Sequence, residues 1–385
     1  MHLMMILDGF GYDVVRKYQS TGGFKNFKHT SPVVAPYPSL TDLCSQDLIQ
    51  GEQCDSLEAR YYHPEKKKIV GGEIGYLLHV NQPYRDTIAY SPRPWIDSMC
   101  YVAPWFAFKL EMSRLRRKII KFRGKEFVAY LVSTAGIGTK YGAAGQNMCL
   151  GRVDEFCAEL KKTMPSLHIS LVSDHGHGYT PSRSFDIRSA LRKKGWKFRS
   201  RIEQPNDIVY PGLGLVHCAG FWTDRARELV EDLNHIDCID IISYVQDGRV
   251  KITNHGGTGE IWRNEDSYTY KNFHGDVLHL GLADGDSLTL NQDEWLRRAL
   301  HDKYPDAPVR LWRAHHGLVK FAPSVIAGLK DGFFFGSRFL NRFAKIESTH
   351  GGLNRINSLA FAMSSEKELP EIMRTRDVMD NLTSG

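Results

Sequence analysis

The sequence predicts an α/β protein with a mainly parallel sheet covered by helices on both faces. Buried strands are indicated by apolar runs at residues 3–7, 127–132, 168–172 and 359–363. Helical patterns lie between them, at residues 41–50, 93–122, 153–164 and 185–194. The chain has 385 residues, of which 42% are hydrophobic. That length exceeds what one hydrophobic core usually serves, so we expect an insertion or a second domain.

The insertion is predicted where the sequence pattern changes, at residues 206–272. Short strands are indicated at residues 213–221, 239–245, 250–254 and 260–263, with one helix at residues 223–233. This pattern favours a small α+β subdomain. We therefore expect a core formed by residues 1–205 and 273–385, with the subdomain inserted between its two parts.

Composition narrows the class of protein. The net charge of +6 comes from 50 basic and 44 acidic residues and does not by itself mark a nucleic-acid binder. No apolar run approaches the roughly 20 residues that cross a bilayer, and the first eight residues lack the features of a secretory signal. The seven cysteines form no CxxC pair, which argues against a disulfide framework and fits a reducing compartment. We expect a cytoplasmic protein without a membrane span.

Acidic and histidine residues stand beside the predicted strands. Asp8 follows the first strand, Asp174 and His175 follow the strand at residues 168–172, and His350 precedes the last one. Ligands of open α/β sheets bind at the carboxyl ends of strands. Carboxylate and imidazole groups that meet there would hold a divalent transition metal. Taken singly, each has a simpler interpretation: an Asp-Gly turn, or a histidine at the surface or in the core.

A hydroxyl group also stands at the start of a predicted helix. Thr41 ends the run Pro-Ser-Leu-Thr at residues 38–41, and the helix begins near Ser39 or Thr41. The free N–H groups of a helix N-terminus favour a phosphate there. They also favour an alkoxide nucleophile if a metal binds the same oxygen. The alternative is an ordinary Ser/Thr N-cap.

Four motifs in this order resemble the alkaline phosphatase superfamily, most closely its type I phosphodiesterase/nucleotide pyrophosphatase branch. They are Ile-Leu-Asp-Gly at residues 6–9, Pro-Ser-Leu-Thr at 38–41, Ser-Asp-His-Gly at 173–176 and Thr-His-Gly-Gly at 349–352. The resemblance implies a three-layer α/β/α sandwich with the small subdomain inserted. It also implies bound divalent metal, one or two ions per chain, with zinc expected first and manganese or iron as alternatives.

The resemblance assigns roles to single residues. Asp8, Asp174, His175 and Thr41 would hold one metal, and His350 would contribute to the other. Thr41 would attack phosphorus, form a phosphothreonine and be released by water. The implied substrate is a small phosphate ester, either a phosphodiester or a nucleotide pyrophosphate.

Three further residues, Tyr61, Tyr62 and Lys140, are candidates for substrate contact.

The sequence departs from the family at two metal ligands. Ala135 stands where the family has an Asp, and Thr139 stands where it has a His. A methyl group cannot bind a metal, and a neutral hydroxyl is a poor zinc ligand. Of the three ligands that the family uses for the second metal, only His350 remains. The alternative function is therefore a catalytically weakened relative that binds a phosphate-containing ligand.

Several other interpretations stay open at this stage. His177 or the pair His315 and His316 could replace a missing metal ligand. The glycines at residues 136–142 are also compatible with a dinucleotide-binding loop, although the acidic residue expected after a second strand is missing. Basic clusters at residues 114–125 and 192–201 are compatible with nucleic-acid binding, but solvated helix faces explain such clusters more simply.

Overall fold

The computed structural model describes residues 1–80, 82–344 and 346–383. The strands among them are β1 (His2–Leu7), β2 (Ser31–Val34), β3 (Tyr61–His63), β4 (Lys68–Val70), β5 (Glu126–Leu131), β6 (His168–Val172), β7 (Arg183–Ser184), β8 (Lys197–Phe198), β9 (Asp207–Ile208), β10 (Cys218–Phe221), β11 (Ile239–Gln246), β12 (Arg249–Asn254), β13 (Gly257–Asn264), β14 (Ser267–His274), β15 (Ser287–Asn291), β16 (Val325–Leu329), β17 (Phe333–Phe334), β18 (Leu359–Ser364) and β19 (Met373–Arg374).

Helices connect and cover these strands. The α-helices are α1 (Tyr12–Ser20), α2 (Thr41–Leu48), α3 (Glu73–Leu77), α4 (Pro94–Cys100), α5 (Pro104–Lys121), α6 (Ser133–Thr163), α7 (Ile187–Lys193), α8 (Ala226–Leu233), α9 (Gln292–Arg298), α10 (Ala307–His315), α11 (Arg338–Phe343), α12 (Arg355–Ser358) and α13 (Val378–Thr383). Two 3₁₀ turns lie at Pro83–Asp86 and Thr375–Asp377. None of the helices in the described part of the chain is both long and apolar enough to cross a membrane.

The central sheet confirms the predicted α/β class. Its strand order is β19-β2-β18-β6-β1-β5. Strand β1 is parallel to both β5 and β6, whereas β18 is antiparallel to β6 and β2. The start of β18 therefore lies at the same edge as the ends of β1 and β6, because antiparallel neighbours run in opposite directions. This places the segment before β18 at the edge where ligands of such sheets bind.

Both faces of the central sheet are buried, which explains why β1 is a continuous apolar run. Leu3, Met5 and Leu7 pack into a core formed with α1, α5 and α6. Met4 and Ile6 point to the opposite face, into a core formed with α2, α4 and α13. Alternate side chains of one strand thus hold two helical layers, as the predicted three-layer sandwich requires.

A second sheet is antiparallel throughout, with the order β10-β16-β11-β12-β13-β14-β15. Strands β10 to β14 fall mostly within residues 206–272, where the sequence predicts short strands. The sheet also takes in β15 and β16, which lie beyond residue 272. Strand β16 lies between β10 and β11, so this sheet is larger than the predicted insert. The division into a core and an inserted subdomain stays a prediction.

The glycine-rich segment is helical and is not a nucleotide-binding loop. Residues 136–145 lie inside α6, and the helix is interrupted only by Gly142 with a φ of 59°. A Cβ on Gly136 would lie 2.2 Å from the carbonyl oxygen of Cys100 in α4. The missing side chain therefore lets α6 pack closely against α4, which is the physical reason for glycine at this position.

Candidate active site

Three predicted metal ligands come together at the carboxyl ends of β1 and β6. Asp8, Asp174 and His175 are fully buried, and each offers a ligand atom within 4.8 Å of the other two. The Nε2 atom of His175 lies 3.5 Å from Asp8 Oδ1 and 3.4 Å from Asp174 Oδ2. The strand ends thus converge as the sequence predicts, because β1 and β6 are parallel neighbours.

Surrounding hydrogen bonds fix these side chains. The backbone N–H groups of Gly9 and His175 both donate to Asp174 Oδ1 at 3.0 Å. The hydroxyl of Tyr130 donates to Asp8 Oδ2. Nδ1 of His175 lies 2.7 Å from the carbonyl oxygen of Gly176, and a carbonyl only accepts. The proton of the neutral ring is therefore on Nδ1, and Nε2 presents a lone pair to the two carboxylates.

The remaining oxygens of the cluster suit a cation. Asp8 Oδ1 and Asp174 Oδ2 are buried and accept no hydrogen bond from the described residues. A buried polar atom without a partner is costly. Two such oxygens beside an imidazole lone pair match the carboxylate and nitrogen ligands that divalent transition metals take. These residues therefore fit one metal ion.

Burial also controls the charges of the cluster. It raises the pKa of Asp8 well above its usual range, and the neighbouring Asp174 adds to this shift. Burial raises the pKa of Asp174 to about 7 and lowers the pKa of His175 to about 4. The histidine is neutral near pH 7, as a metal ligand must be. A bound cation would offset the repulsion between the two carboxylates.

Thr41 joins this cluster through its side chain. It is the first residue of α2, and Leu40 is the N-cap, without a side-chain cap. The alternative interpretation of Thr41 as an N-cap is therefore wrong. Its Oγ1 lies 3.1 Å from His175 Nε2, and the hydroxyl donates because Nε2 carries the lone pair. A hydroxyl at a helix N-terminus thus reaches the metal-ligand cluster directly.

His350 approaches from the segment before β18. Its ring stacks on that of His175, with centroids 4.0 Å apart and planes 16° from parallel. Nδ1 of His350 donates to the carbonyl oxygen of Ser39 at 2.9 Å. Burial holds the pKa of His350 well below its usual range, and the nearby His175 lowers it further. His350 is thus a neutral group beside the cluster.

Ala135 and Thr139 lie one turn apart in α6, near the cluster. A Cβ on Gly9 would lie 3.5 Å from Ala135 Cβ and 3.6 Å from His175 Cε1, so Ala135 stands close to the predicted metal ligands. Thr139 lines the cavity that also contains Thr41 and His350. The helix therefore places both residues beside the candidate site, with a methyl group and a neutral hydroxyl as their side-chain ends.

The proposed replacement ligands differ in position. Nε2 of His177 contacts Ser348 Oγ at 3.0 Å, and its ring centroid lies 6.0 Å from that of His350. His315 instead contacts Ser243 of the second sheet. The ring of His316 stacks on an aromatic side chain of α10, the helix that it follows. Only His177 of the three lies near the candidate site.

Some residues near the site are not apparent from the sequence. The ring of His217 is buried, its Nδ1 lies 3.8 Å from Asp331 Oδ1, and its backbone N–H donates to the carbonyl oxygen of His350 at 2.7 Å. Tyr130 occupies the next-to-last position of β5, beside Ile6 of β1. That strand position is the one sequence signal that could have indicated a side chain reaching Asp8.

A cavity of about 390 Å³ opens beside Thr41. The predicted substrate contacts Tyr61, Tyr62 and Lys140 are not among the residues that line it. Tyr61 donates to Asp55 at 2.9 Å, and Lys140 donates to the carbonyl oxygen of Val102 at 2.6 Å. Tyr62 packs against Trp222. Substrate contact by these three residues stays a prediction.

Similarity to known proteins is found by comparing structures and not by comparing sequences. No protein-family model and no curated protein sequence matches the chain. Human ectonucleotide pyrophosphatase/phosphodiesterase 5 superimposes with a TM-score of 0.54 at 14% identity, covering 98% of this chain and 92% of the human one. The inactive murine protein in complex with AMP gives a TM-score of 0.51 at 12% identity, with coverages of 99% and 94%.

A bacterial enzyme shares the same architecture. Phosphonoacetate hydrolase from Sinorhizobium meliloti, in complex with phosphonoformate, superimposes with a TM-score of 0.53 at 12% identity. The match covers 99% of this chain and 94% of the hydrolase. The predicted resemblance is confirmed at the level of architecture: the chain has the fold of the alkaline phosphatase superfamily, in the form shared by nucleotide pyrophosphatase/phosphodiesterase-type proteins.

Proposed function

We propose that this chain hydrolyses phosphoric esters, with Thr41 as the nucleophile and a divalent metal, zinc first, at Asp8, Asp174 and His175. The observation that carries the proposal is the 3.1 Å contact between Thr41 Oγ1 and His175 Nε2, inside a cluster where two carboxylate oxygens accept no hydrogen bond from the residues that the structure describes. Phosphodiesters and nucleotide pyrophosphates are the substrates that the resemblance implies. The structural neighbours support a phosphate-containing ligand, since one is in complex with AMP and another with phosphonoformate.

The groups of the site would contribute different parts of the reaction. When bound, the metal would supply Lewis-acid activation of the hydroxyl and neutralise the carboxylates. The N-terminus of α2 favours negative charge on Thr41 Oγ1 and on the phosphoryl oxygens. Attack by Thr41 forms a P–O bond and breaks the bond to the leaving alcohol. Water then hydrolyses the phosphothreonine and restores the hydroxyl.

The test combines turnover with covalent labelling. Wild type, T41S and T41A would be assayed with bis(4-nitrophenyl) phosphate and 4-nitrophenyl phosphate in the presence of zinc, manganese or iron. We expect T41S to keep part of the turnover, and T41A to lose both turnover and the phosphate adduct seen by intact-protein mass spectrometry. T163A, at the end of α6, is the control for threonine removal. Turnover retained by T41A would remove Thr41 as the nucleophile.

The second candidate function is a weakened relative that binds a phosphate-containing ligand. It is favoured by Ala135 and Thr139, which supply no metal-ligand atom beside the site. We expect elemental analysis to give about one metal per chain. The double change Ala135→Asp with Thr139→His should add a second metal and raise phosphodiester turnover. Two metals in the wild type, or no effect of the double change, would contradict the roles given to these positions.

A further inference from the structure

We propose that the cavity beside Thr41 binds an uncharged apolar group of the substrate, an alkyl or aryl group of the ester, in preference to a nucleoside. The inference rests on the proposed function and names the substrate class of the same site. Its basis is the chemistry of the cavity wall.

The wall is mainly apolar, and Tyr76, Tyr101 and Phe339 add aromatic rings to its aliphatic side chains. The cavity volume of about 390 Å³ is in the range of pockets that hold small organic ligands. Thr41 and His350 line it, so a group bound there is attached close to the predicted nucleophile. Separate segments of the chain contribute the rest of the wall, among them Leu40, Leu57, Leu213, Leu215, Val216 and Leu340. Contact with such side chains stabilises an apolar group by removing it from water.

Several polar groups in the wall are engaged within the protein. Both carboxylate oxygens of Glu58 accept backbone N–H bonds, from Leu213 and Gly214. The hydroxyl of Thr349 donates a hydrogen bond to a backbone carbonyl oxygen, and Nδ1 of His350 donates to another. A base and a ribose carry several donors and acceptors that lose water on entry. Asp42 Oδ1, which accepts no hydrogen bond from the described residues, and the hydroxyls of Tyr76 and Tyr101 remain in the wall, and they compensate only part of that loss.

The rim of the cavity is apolar as well. Val102 and Phe339 line the cavity and are each 53% exposed, so it opens to the surface between hydrophobic side chains. Among the described residues of the lining there is no Lys or Arg, whereas Asp42 and Glu58 contribute carboxyl groups. A second phosphate, as in a nucleotide pyrophosphate, would find no cationic side chain among these described residues.

Equilibrium binding tests the inference without requiring turnover. Methyl-, butyl- and hexylphosphonate and AMP would be titrated calorimetrically into the zinc-loaded protein. We expect affinity to rise by up to about fourfold per added methylene, as full burial of each CH₂ predicts, and hexylphosphonate to bind more tightly than AMP. Equal affinities along the series, or tighter binding of AMP, would overturn the proposal.

A charge placed at the rim locates the bound chain. Val102→Arg is chosen because Val102 is half exposed and the arginine can reach solvent without disturbing the core. We expect it to reduce the ratio of hexyl- to methylphosphonate affinity by at least tenfold. Val245→Arg is the matched control, because Val245 is 40% exposed on β11 of the second sheet and outside the cavity lining. An unchanged ratio in Val102→Arg would place the chain elsewhere.

Turnover separates this inference from the proposed function. Methyl, hexyl and thymidine 5′-esters of 4-nitrophenyl phosphate would be compared with the zinc-loaded enzyme. Hydrolysis that favours the thymidine ester would overturn the apolar site and leave the hydrolase intact. Chain-length-dependent phosphonate binding without hydrolysis of any ester would remove the hydrolase and leave the apolar site.

Discussion

Replacing Asp174 by asparagine should stabilise the metal-free protein and abolish its response to zinc. The new amide keeps an oxygen that can accept the N–H bonds of Gly9 and His175, both 3.0 Å in the wild type. Its NH₂ group would take the position of Oδ2, which accepts no hydrogen bond from the described part of the chain in the wild type. One of two closely spaced buried carboxylates is then neutral at every pH.

The size of the effect follows from the geometry of the pair. Ligand oxygens of Asp8 and Asp174 lie within 4.8 Å, and two unit charges at that separation repel by about 3.5 kcal/mol at an effective dielectric constant of 20. Retaining a proton costs a similar amount, because a rise in the pKa of Asp174 from 3.8 to about 7 corresponds to roughly 4 kcal/mol. By either route, the free energy of unfolding of the metal-free wild type is about 3.5 kcal/mol lower than that of D174N.

The sign of the pH dependence is set by the direction of that shift. Between pH 4 and 7 the folded wild type holds a proton at Asp174 that the unfolded chain releases. The free energy of unfolding of the wild type therefore falls, relative to that of D174N, as the pH rises through this window. We expect D174N to gain about 3.5 kcal/mol between pH 4 and pH 8 in EDTA, or about 4 °C in Tm for a chain of this length.

Urea and thermal unfolding followed by circular dichroism provide the assay. Zinc at a hundred times its Kd should stabilise the wild type by about 2.7 kcal/mol and leave D174N nearly unchanged. Asp266→Asn is the control, because that carboxylate is 89% exposed. A constant difference between D174N and wild type from pH 4 to 8, with no response of either to zinc, would refute the site.

Two further predictions concern the groups that support the site. Tyr130→Phe should weaken zinc binding by about tenfold in a chelator competition, because Asp8 Oδ2 loses the hydrogen bond that orients it. The control is Tyr37→Phe, which removes a buried hydroxyl that has no hydrogen-bond partner among the described residues, and equal losses in the two variants would contradict the role of Tyr130. Glu111, which accepts hydrogen bonds from Ser133 at the start of α6, has its pKa raised to about 8 by burial. Wild-type stability should therefore fall relative to Glu111→Gln from pH 5 to 8 in thermal unfolding, and parallel pH profiles would show that Glu111 is ionised in the folded protein.

The sequence predicts those parts of the site that follow from strand ends and helix starts. Asp8 and Asp174 each end an apolar run, and parallel neighbouring strands bring such residues together. Thr41 precedes a helical pattern, and the helix starts at this residue. Ala135 and Thr139 lie one turn apart in α6, whereas the glycines between them favour a connecting segment, so the helical placement of this pair does not follow from the sequence.

The remaining features depend on contacts between distant segments. Strand β16 lies in the second sheet between β10 and β11. No local sequence pattern near residue 272 indicates that a later strand joins this sheet. Burial of Glu111 and the hydrogen bond from Tyr130 to Asp8 arise from helix and strand packing, which single-sequence periodicity does not encode. The apolar cavity is likewise assembled from loops whose positions only the folded chain defines.

The antiparallel strand β18 has a consequence for the order in which the protein can be completed. It is synthesised near the end of the chain but lies in the interior of the central sheet, between β2 and β6. During synthesis, β1, β5 and β6 can pair as soon as residue 172 is made, whereas β2 waits for a partner encoded more than 300 residues later. Until then β2 and β6 each present an unpaired edge, the kind of surface that pairs with other chains. A nascent or truncated chain lacking β18 would thus be prone to associate with other chains through these edges.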